Sequence, residues 1–302
     1  MSKFLVVGFC QRETIVKVDE VPIKYQPVTD TFGSIHSGIG GDAYNEAIAL
    51  KWLGNDVDFF TMIGTDEDKS IINSNNNDII LDTNFVLPKL SATPAAVIFY
   101  DKNRKQQIFE DIKDSRTIEY DVKLFEKRLP SADLIVTANA NFCRPMVQAA
   151  IEKGKKIAVN IRKFKYETEQ YNKFFLENSN ILYLSDDNLE EDPYDFVKYI
   201  AEKYHPEVII LGQGANGLIL YNEKDGTYAH FNSVKTNEVV NTVGAGNALF
   251  SCFLHYYNKT GDATFSIKNA LLFASYKIGF IGTSNGFMTE KQIEDWRSLI
   301  WK

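Results

Sequence analysis

The segment Asn241-Thr242-Val243-Gly244-Ala245-Gly246-Asn247 runs without a break into the apolar stretch Ala248-Leu249-Phe250-Ser251-Cys252-Phe253-Leu254. A turn of small residues that opens straight into a helix leaves the chain few options. With almost no side chains in the way, the N–H groups of Gly244, Ala245 and Gly246 can converge on one point, and the positive end of the helix dipole adds to them. Such a cradle suits a negatively charged group in transit. Asn247 closes the turn. A carboxylate there could take a proton from an attacking hydroxyl; an amide cannot.

The rest of the pattern fits a layered α/β protein. Short apolar runs read as strands at Phe4–Gly8, Val57–Ile63, Asp133–Thr137, Lys156–Asn160, Ile181–Leu184 and Val208–Leu211. Thr14–Val18 alternates and reads as a half-exposed strand. Helical patterns stand at about 43–53, where Gly54 stops the helix, and at 144–153, 171–178, 246–258, 264–280 and 289–301. Lys69–Asn77 also reads as a helix, ending in a polar Asn run. Strand alternating with helix argues a parallel sheet covered on both faces. Ala95–Asp101 and Gln106–Glu110, joined by Lys102-Asn103-Arg104-Lys105, read as a hairpin, and Leu218–Tyr221 with Tyr228–Phe231 as a second. Strands near the N-terminus and at 93–112 do not fit a parallel core and imply an appended sheet. No repeat or linker divides the chain, so 1–302 is expected to form a single domain.

Composition narrows the function. The chain has 302 residues, 44% hydrophobic and 24% charged, with a net charge of −7. That acidity argues against nucleic acid as the main partner. No apolar run approaches the ~20 residues that span a bilayer. The apolar stretch after Met1-Ser2-Lys3 is cut short by Gln11-Arg12-Glu13, too soon for a signal peptide. Cys10, Cys143 and Cys252 are odd in number and far apart. They read as buried thiols in a reducing compartment, and the cytoplasm is the expected location.

Gly212-Gln213-Gly214-Ala215-Asn216-Gly217 satisfies the dinucleotide pattern G-x-G-x-x-G. The pattern requires a helix next, yet Leu218-Ile219-Leu220-Tyr221 is strand-like. A strand offers no helix N-terminus to a pyrophosphate, which argues against an NAD-dependent oxidoreductase.

Residues 241–247 resemble the Asp-Thr-x-Gly-Ala-Gly-Asp motif of the PfkB (ribokinase-like) carbohydrate kinases. Three further elements follow the same order. Val7-Gly8-Phe9-Cys10-Gln11-Arg12-Glu13 is similar to the family's first strand with its sugar-binding Asp. Gly40-Gly41-Asp42-Ala43-Tyr44-Asn45-Glu46-Ala47 is similar to its Gly-Gly-x-x-x-Asn-x-Ala element. Leu53-Gly54 and Gly64-x-Asp66 continue the pattern. The resemblance implies a ribokinase-like α/β/α sandwich with a central, mostly parallel sheet. A small β-sheet lid, inserted at about 11–36 and 93–112, would cover the sugar; in the family such lids often pair in a homodimer, and the 93–112 hairpin reads as either a dimerising edge or a simple flap.

The resemblance also implies roles. Glu13, Gly40, Gly41 and Asn45 hold a sugar or nucleoside. Gly244, Ala245 and Gly246 form the anion hole, with Asn247 where the family has its catalytic Asp. Gly214, Gly217 and the Ser284-Asn285-Gly286 turn line an ATP site. Several positions depart from the family. Asn241 replaces the Asp of the monovalent-cation loop, and Gly212 replaces a Thr. Ser185 and Asn188 replace the Asn and Glu of an Asn-x-x-Glu motif that orders Mg²⁺, leaving Asp186 and Asp187 to organise the metal through water. A base contributes ~10²–10⁴-fold, and most of phosphoryl transfer is positioning and electrostatics. Two expectations therefore stand: a slow ATP-dependent sugar or nucleoside kinase, or a disabled pseudokinase that binds a sugar or nucleotide.

Overall fold

The first strand, β1 (Lys3–Val7), is buried at every residue. Its side chains alternate between two apolar clusters, Phe4 and Val6 in one and Leu5 and Val7 in the other. A strand with a core on each face belongs at the centre of a sandwich. The computed structural model describes residues 1–74, 79–103, 105–162, 164–187 and 189–301. After β1 come β2 (Gln11–Lys17), β3 (Ile35–Gly40), α1 (Asp42–Trp52), β4 (Asp56–Gly64), β5 (Val86–Leu90), β6 (Ala95–Tyr100) and β7 (Gln106–Asp111). The middle holds α2 (Val122–Arg128), β8 (Leu134–Ala138), α3 (Arg144–Glu152), β9 (Ile157–Ile161), α4 (Glu169–Glu177), β10 (Ile181–Ser185) and α5 (Pro193–Tyr204). The chain ends with β11 (Val208–Gly212), β12 (Leu218–Asn222), β13 (Thr227–Phe231), α6 (Ala245–Thr260), α7 (Ala263–Lys277) and α8 (Glu290–Ile300).

Among the described residues, nine strands form one sheet in the order β13-β12-β11-β10-β9-β8-β1-β4-β5. Pairings from β11 through to β5 are parallel; β12 and β13 add on antiparallel. The second expected hairpin is thus an edge of the main sheet. One face carries α1, α6, α7 and α8, with Ala47, Phe250, Phe273 and Ile293 in its core. The other carries α2 to α5, with Phe125, Met146, Phe175 and Phe196. The smaller sheet runs β3-β2-β6-β7. The ribokinase-like sandwich with its lid is the observed architecture.

Three local expectations need correction. The helix expected at 69–77 is only a short 3₁₀ turn, Lys69–Asn73. Asp68 caps Ser70, but the Ser and Asn residues that follow favour turns over helix; Asn75, Asn76 and Asn77 lie outside the described residues. The lid segment expected at about 11–36 runs on to Gly40 in β3, where Gly38 pairs with Glu13 and Gly40 with Gln11. The strand expected at 14–18 begins at Gln11, because that pairing starts there. β5 was not expected at all; Pro88 obscures it, and it runs at the sheet edge, where proline is tolerated.

Helix starts differ in a way that matters for function. Asp192 caps α5, Asp262 caps α7, and Thr289 with Gln292 forms a capping box on α8. By contrast α1 and α6 each begin after a glycine, Gly41 and Gly244, with no side-chain cap.

Candidate active site

The two glycine-led helix starts meet in one place. Glu13 is the first anchor. β2 carries its carboxylate inward, where it is only 6% exposed. It accepts hydrogen bonds from the N–H of Gly41 (2.8 Å), from Gln11 Nε2 (3.2 Å) and from Thr283 Oγ1 (2.9 Å). Burial nonetheless pushes its pKa up, against the pull of those donors. Gly40 is required here, since a Cβ would collide with the Glu13 carboxylate. Glu13, Ile15, His36, Ser37, Thr283 and Asn285 line a cleft of about 220 Å³. Asn45, on the first turns of α1, is 4% exposed, and its Oδ1 meets no protein donor. A buried acceptor without a partner is costly unless a ligand supplies one.

The second anchor is the 241–247 turn. Gly244 adopts φ 81°, and a Cβ there would lie 2.8 Å from the Thr283 carbonyl oxygen. Thr283 thus touches both Glu13 and the glycine turn, bringing the two within one residue of each other. Ala245 spends its N–H within the turn, on the Thr242 carbonyl at 3.2 Å. The expected three-amide cradle is therefore narrower: Gly244 and Gly246 remain for an anion, backed by the 16-residue helix α6. Asn241 Oδ1 takes the N–H of Val243 (2.9 Å), while its Nδ2 is buried without a partner. Asn247 is 6% exposed. Its Nδ2 donates to the Asp42 carbonyl oxygen at 2.9 Å and to Asp42 Oδ1 at 3.1 Å.

Lys277 locks these loops together. Its side chain is fully buried, and Nζ donates to the carbonyls of Val243 (2.5 Å) and Gly282 (2.6 Å). Burial lowers its pKa to about 7, with the Glu13 charge acting in the opposite direction.

The remaining expected residues divide. Ser284 and Asn285 line the Glu13 cleft, where Thr283 ties their turn to Glu13; Gly286 follows at φ 73°, packed on Phe280. Gly214 sits in open space at φ 55°. Gly217 has a packing reason to be glycine, since a Cβ would strike the Phe231 carbonyl oxygen. Position 212 has no room for a Thr, because a Cβ would approach the Tyr183 hydroxyl to 2.8 Å. That hydroxyl also lies 2.5 Å from a Cβ placed on Gly246. A phenol from β10 therefore stands between the two glycine loops. Asp186 and Asp187 follow at the end of β10. Burial and the neighbouring Asp187 charge raise the pKa of Asp186, while Gln213 opposes the shift at 3.4 Å. Such a pair suits a cation held through water, although no cluster of three His, Cys, Asp or Glu forms among the described residues. Asn188 lies outside them.

The lid closes over this site. Val243 packs into the lid core with Ile15, Ala96, Ile98 and Tyr100. Gln106 Nε2 donates to Thr242 Oγ1 at 2.7 Å. Arg162, at the end of β9, bridges Asp42 (3.5 Å) and the lid's Glu110 (3.1 Å). Sequence reasoning missed Asp42, Arg162, Tyr183, Lys277 and Thr283 as site residues. Lys277 left one signal, a cation inside the apolar run Leu271-Leu272-Phe273-Ala274 to Ile278.

A sandwich with a β lid, two uncapped glycine-led helices and a carboxylate-anchored cleft defines a small-molecule kinase fold of the ribokinase type. The sequence pattern described as "pfkB family carbohydrate kinase" matches residues 1–290, and the chain belongs to that family. It is 27% identical to the deoxyribokinase of Salmonella typhi over 283 residues, 87% of this chain and 88% of that protein. Among solved structures, a microbiome-derived acarbose kinase superposes with a TM-score of 0.82 at 19% identity, covering 97% of this chain and 98% of the other. The ribokinase of Arabidopsis thaliana, complexed with ribose and ATP, superposes with a TM-score of 0.77 at 15% identity, with 98% of each chain covered.

Proposed function

We propose that the protein transfers the γ-phosphate of ATP to a hydroxyl of a small sugar. One observation carries the reading. Thr283 joins the Glu13 cleft to the uncapped glycine turn of α6, so an acceptor bound in the first lies against the anion site of the second. The deoxyribokinase relative and the ribose- and ATP-bound ribokinase supply the reaction class. The cleft, about 220 Å³, falls below the roughly 300–1,000 Å³ of sites for drug-sized ligands. A monosaccharide suits it better than a nucleoside.

Glu13 and Asn45 bind acceptor hydroxyls in this reading, and Gly40 and Gly41 let the sugar approach the backbone. Gly244 and Gly246 receive the phosphoryl group. Gly214 and Gly217 face the nucleotide, and Asp186 and Asp187 hold Mg²⁺ through water. Bound Mg²⁺ neutralises phosphate charge during transfer. A monovalent cation has no place in this scheme, because Lys277 Nζ already occupies the Val243 and Gly282 carbonyls. We expect turnover to be indifferent to exchange of K⁺ for a bulky organic cation, and a requirement for K⁺ would refute that role for Lys277. The lid exposes Ile35, Val97 and Phe109 on its outer side, and a second copy of the chain is the partner we propose for it. The buried thiols fit a cytoplasmic setting.

The test is ATP turnover against a panel of sugars and nucleosides, with binding read in parallel by thermal shift. Sugar-dependent ADP release supports the kinase. Sugar or ATP binding without turnover would instead support a pseudokinase.

A further inference from the structure

We propose that Asp42 is the general base for the acceptor hydroxyl, in place of a carboxylate at position 247. The inference rests on the kinase reading above. Asn247 donates one side-chain nitrogen to two oxygens of the same residue, the Asp42 carbonyl (2.9 Å) and carboxylate (3.1 Å). Two contacts from one amide fix the carboxylate beside position 247. They also account for the amide: a carboxylate at 247 would set two carboxylates about 3 Å apart, and one of them would have to stay protonated. Arg162 approaches the other carboxylate oxygen at 3.5 Å. The Asp42 side chain is 30% exposed, so its carboxylate is open to a ligand. Its neighbour Gly41 donates its N–H to Glu13, so the substrate anchor and the base are set by consecutive residues.

Other carboxylates are poorly placed. Glu46 is 1% exposed and is occupied by Asn160 Nδ2 at 2.6 Å. Glu13 already serves three donors. Asp186 and Asp187 end a different strand and make no hydrogen bond to Asn247. In the transfer, the acceptor hydroxyl gives its proton to Asp42 Oδ1 as its oxygen bonds to the γ-phosphorus. The bond from that phosphorus to the bridging oxygen breaks, and ADP leaves with the electron pair. Asn247 is a positioning residue that holds Asp42 in line.

The experiment compares the native protein with D42N, N247D and D42N/N247D, measuring kcat, the acceptor KM, the pH profile of kcat and the melting temperature. We expect D42N to lower kcat by about 10²–10⁴-fold, with little change in acceptor KM and loss of the acid limb of the profile. D42N/N247D, which returns the carboxylate to the other helix, recovers part of that loss. It also keeps the test alive if D42N alone proves unstable. If D42N keeps native kcat and profile, the base assignment falls while the kinase reading stands. If D42N/N247D is no faster than a folded D42N, the exchange between the two positions is refuted. Silence from the native protein and every variant across the sugar panel would overturn the kinase reading, and this inference with it.

Discussion

At the scale of single residues, the site works by crowding. Gly40 is set so close to Glu13 that any side chain would push the carboxylate aside. Gly40→Ala should therefore displace the substrate anchor. A shift of about 1 Å at an anchor can cost on the order of 10²-fold, so kcat/KM should fall by about that factor. Lys277 carries a pH signature. With its pKa lowered from 10.5 to about 7, the unfolded chain binds a proton between those values that the folded chain does not. Stability from this group therefore rises as pH climbs from 7 toward 10.5, and its penalty is full below 7. Lys277→Met should lower stability overall, by orphaning two carbonyls, yet flatten the rise. Melting temperatures of both proteins across pH 6.5–9.5, compared as differences, check this; parallel curves would contradict it.

At the scale of elements, the device is a helix start left open. α5, α7 and α8 spend an Asp or Thr on their first amides, α3 and α4 start uncapped behind Cys143 and Thr168, and α1 and α6 start uncapped behind a glycine that leaves the amides open. Gly244→Ala forces a left-handed angle on a residue with a Cβ, at about 1–2 kcal/mol, and pushes it against the Thr283 carbonyl. The melting temperature should drop and turnover should vanish, with sugar binding at Glu13 still detectable by thermal shift. Much of this level was legible in the sequence. The small-residue turn, the α6 apolar run and the strand–helix alternation are local patterns, and local patterns survive in a linear text. Glu13, Asn45 and Asn247 were singled out by their order along the chain, and Glu13 and Asn247 both contact the start of α1. What stayed hidden depends on contacts between distant segments. Asp42 meets Asn247 across 205 positions, and Thr283 meets Glu13 across 270. Nothing near Gly212 says that a tyrosine from β10 fills the space a threonine would need. Gly244, Ala245 and Gly246 look like three equal donors until the turn closes and Ala245 is used internally.

At the scale of the whole molecule, the two sheets have different tasks. The nine-stranded sheet, cored on both faces, fixes the helix starts in place. The four-stranded sheet is attached to it through Val243, Gln106 and the Arg162 bridge. Loosening that attachment with Gln106→Ala should raise the acceptor KM more than the ATP KM, because the lid covers the Glu13 cleft; an equal change in both would argue against this arrangement. The outer side of the lid predicts a dimer in light scattering that Phe109→Asp converts to a monomer. A monomer in the native protein would refute the pairing.

The contact between Gln106 and Thr242 joins a lid strand to the turn that we propose receives phosphate. In this arrangement, an open lid also leaves that turn without its Thr242 and Val243 supports. On the proposed kinase reading this is a guard against waste: with no acceptor to hold the lid down, the phosphate seat would be incomplete and water would gain no partner for attack. ATP hydrolysis in the absence of acceptor should be a small fraction of transfer, and it should rise in Gln106→Ala only if the lid shields the seat without shaping it.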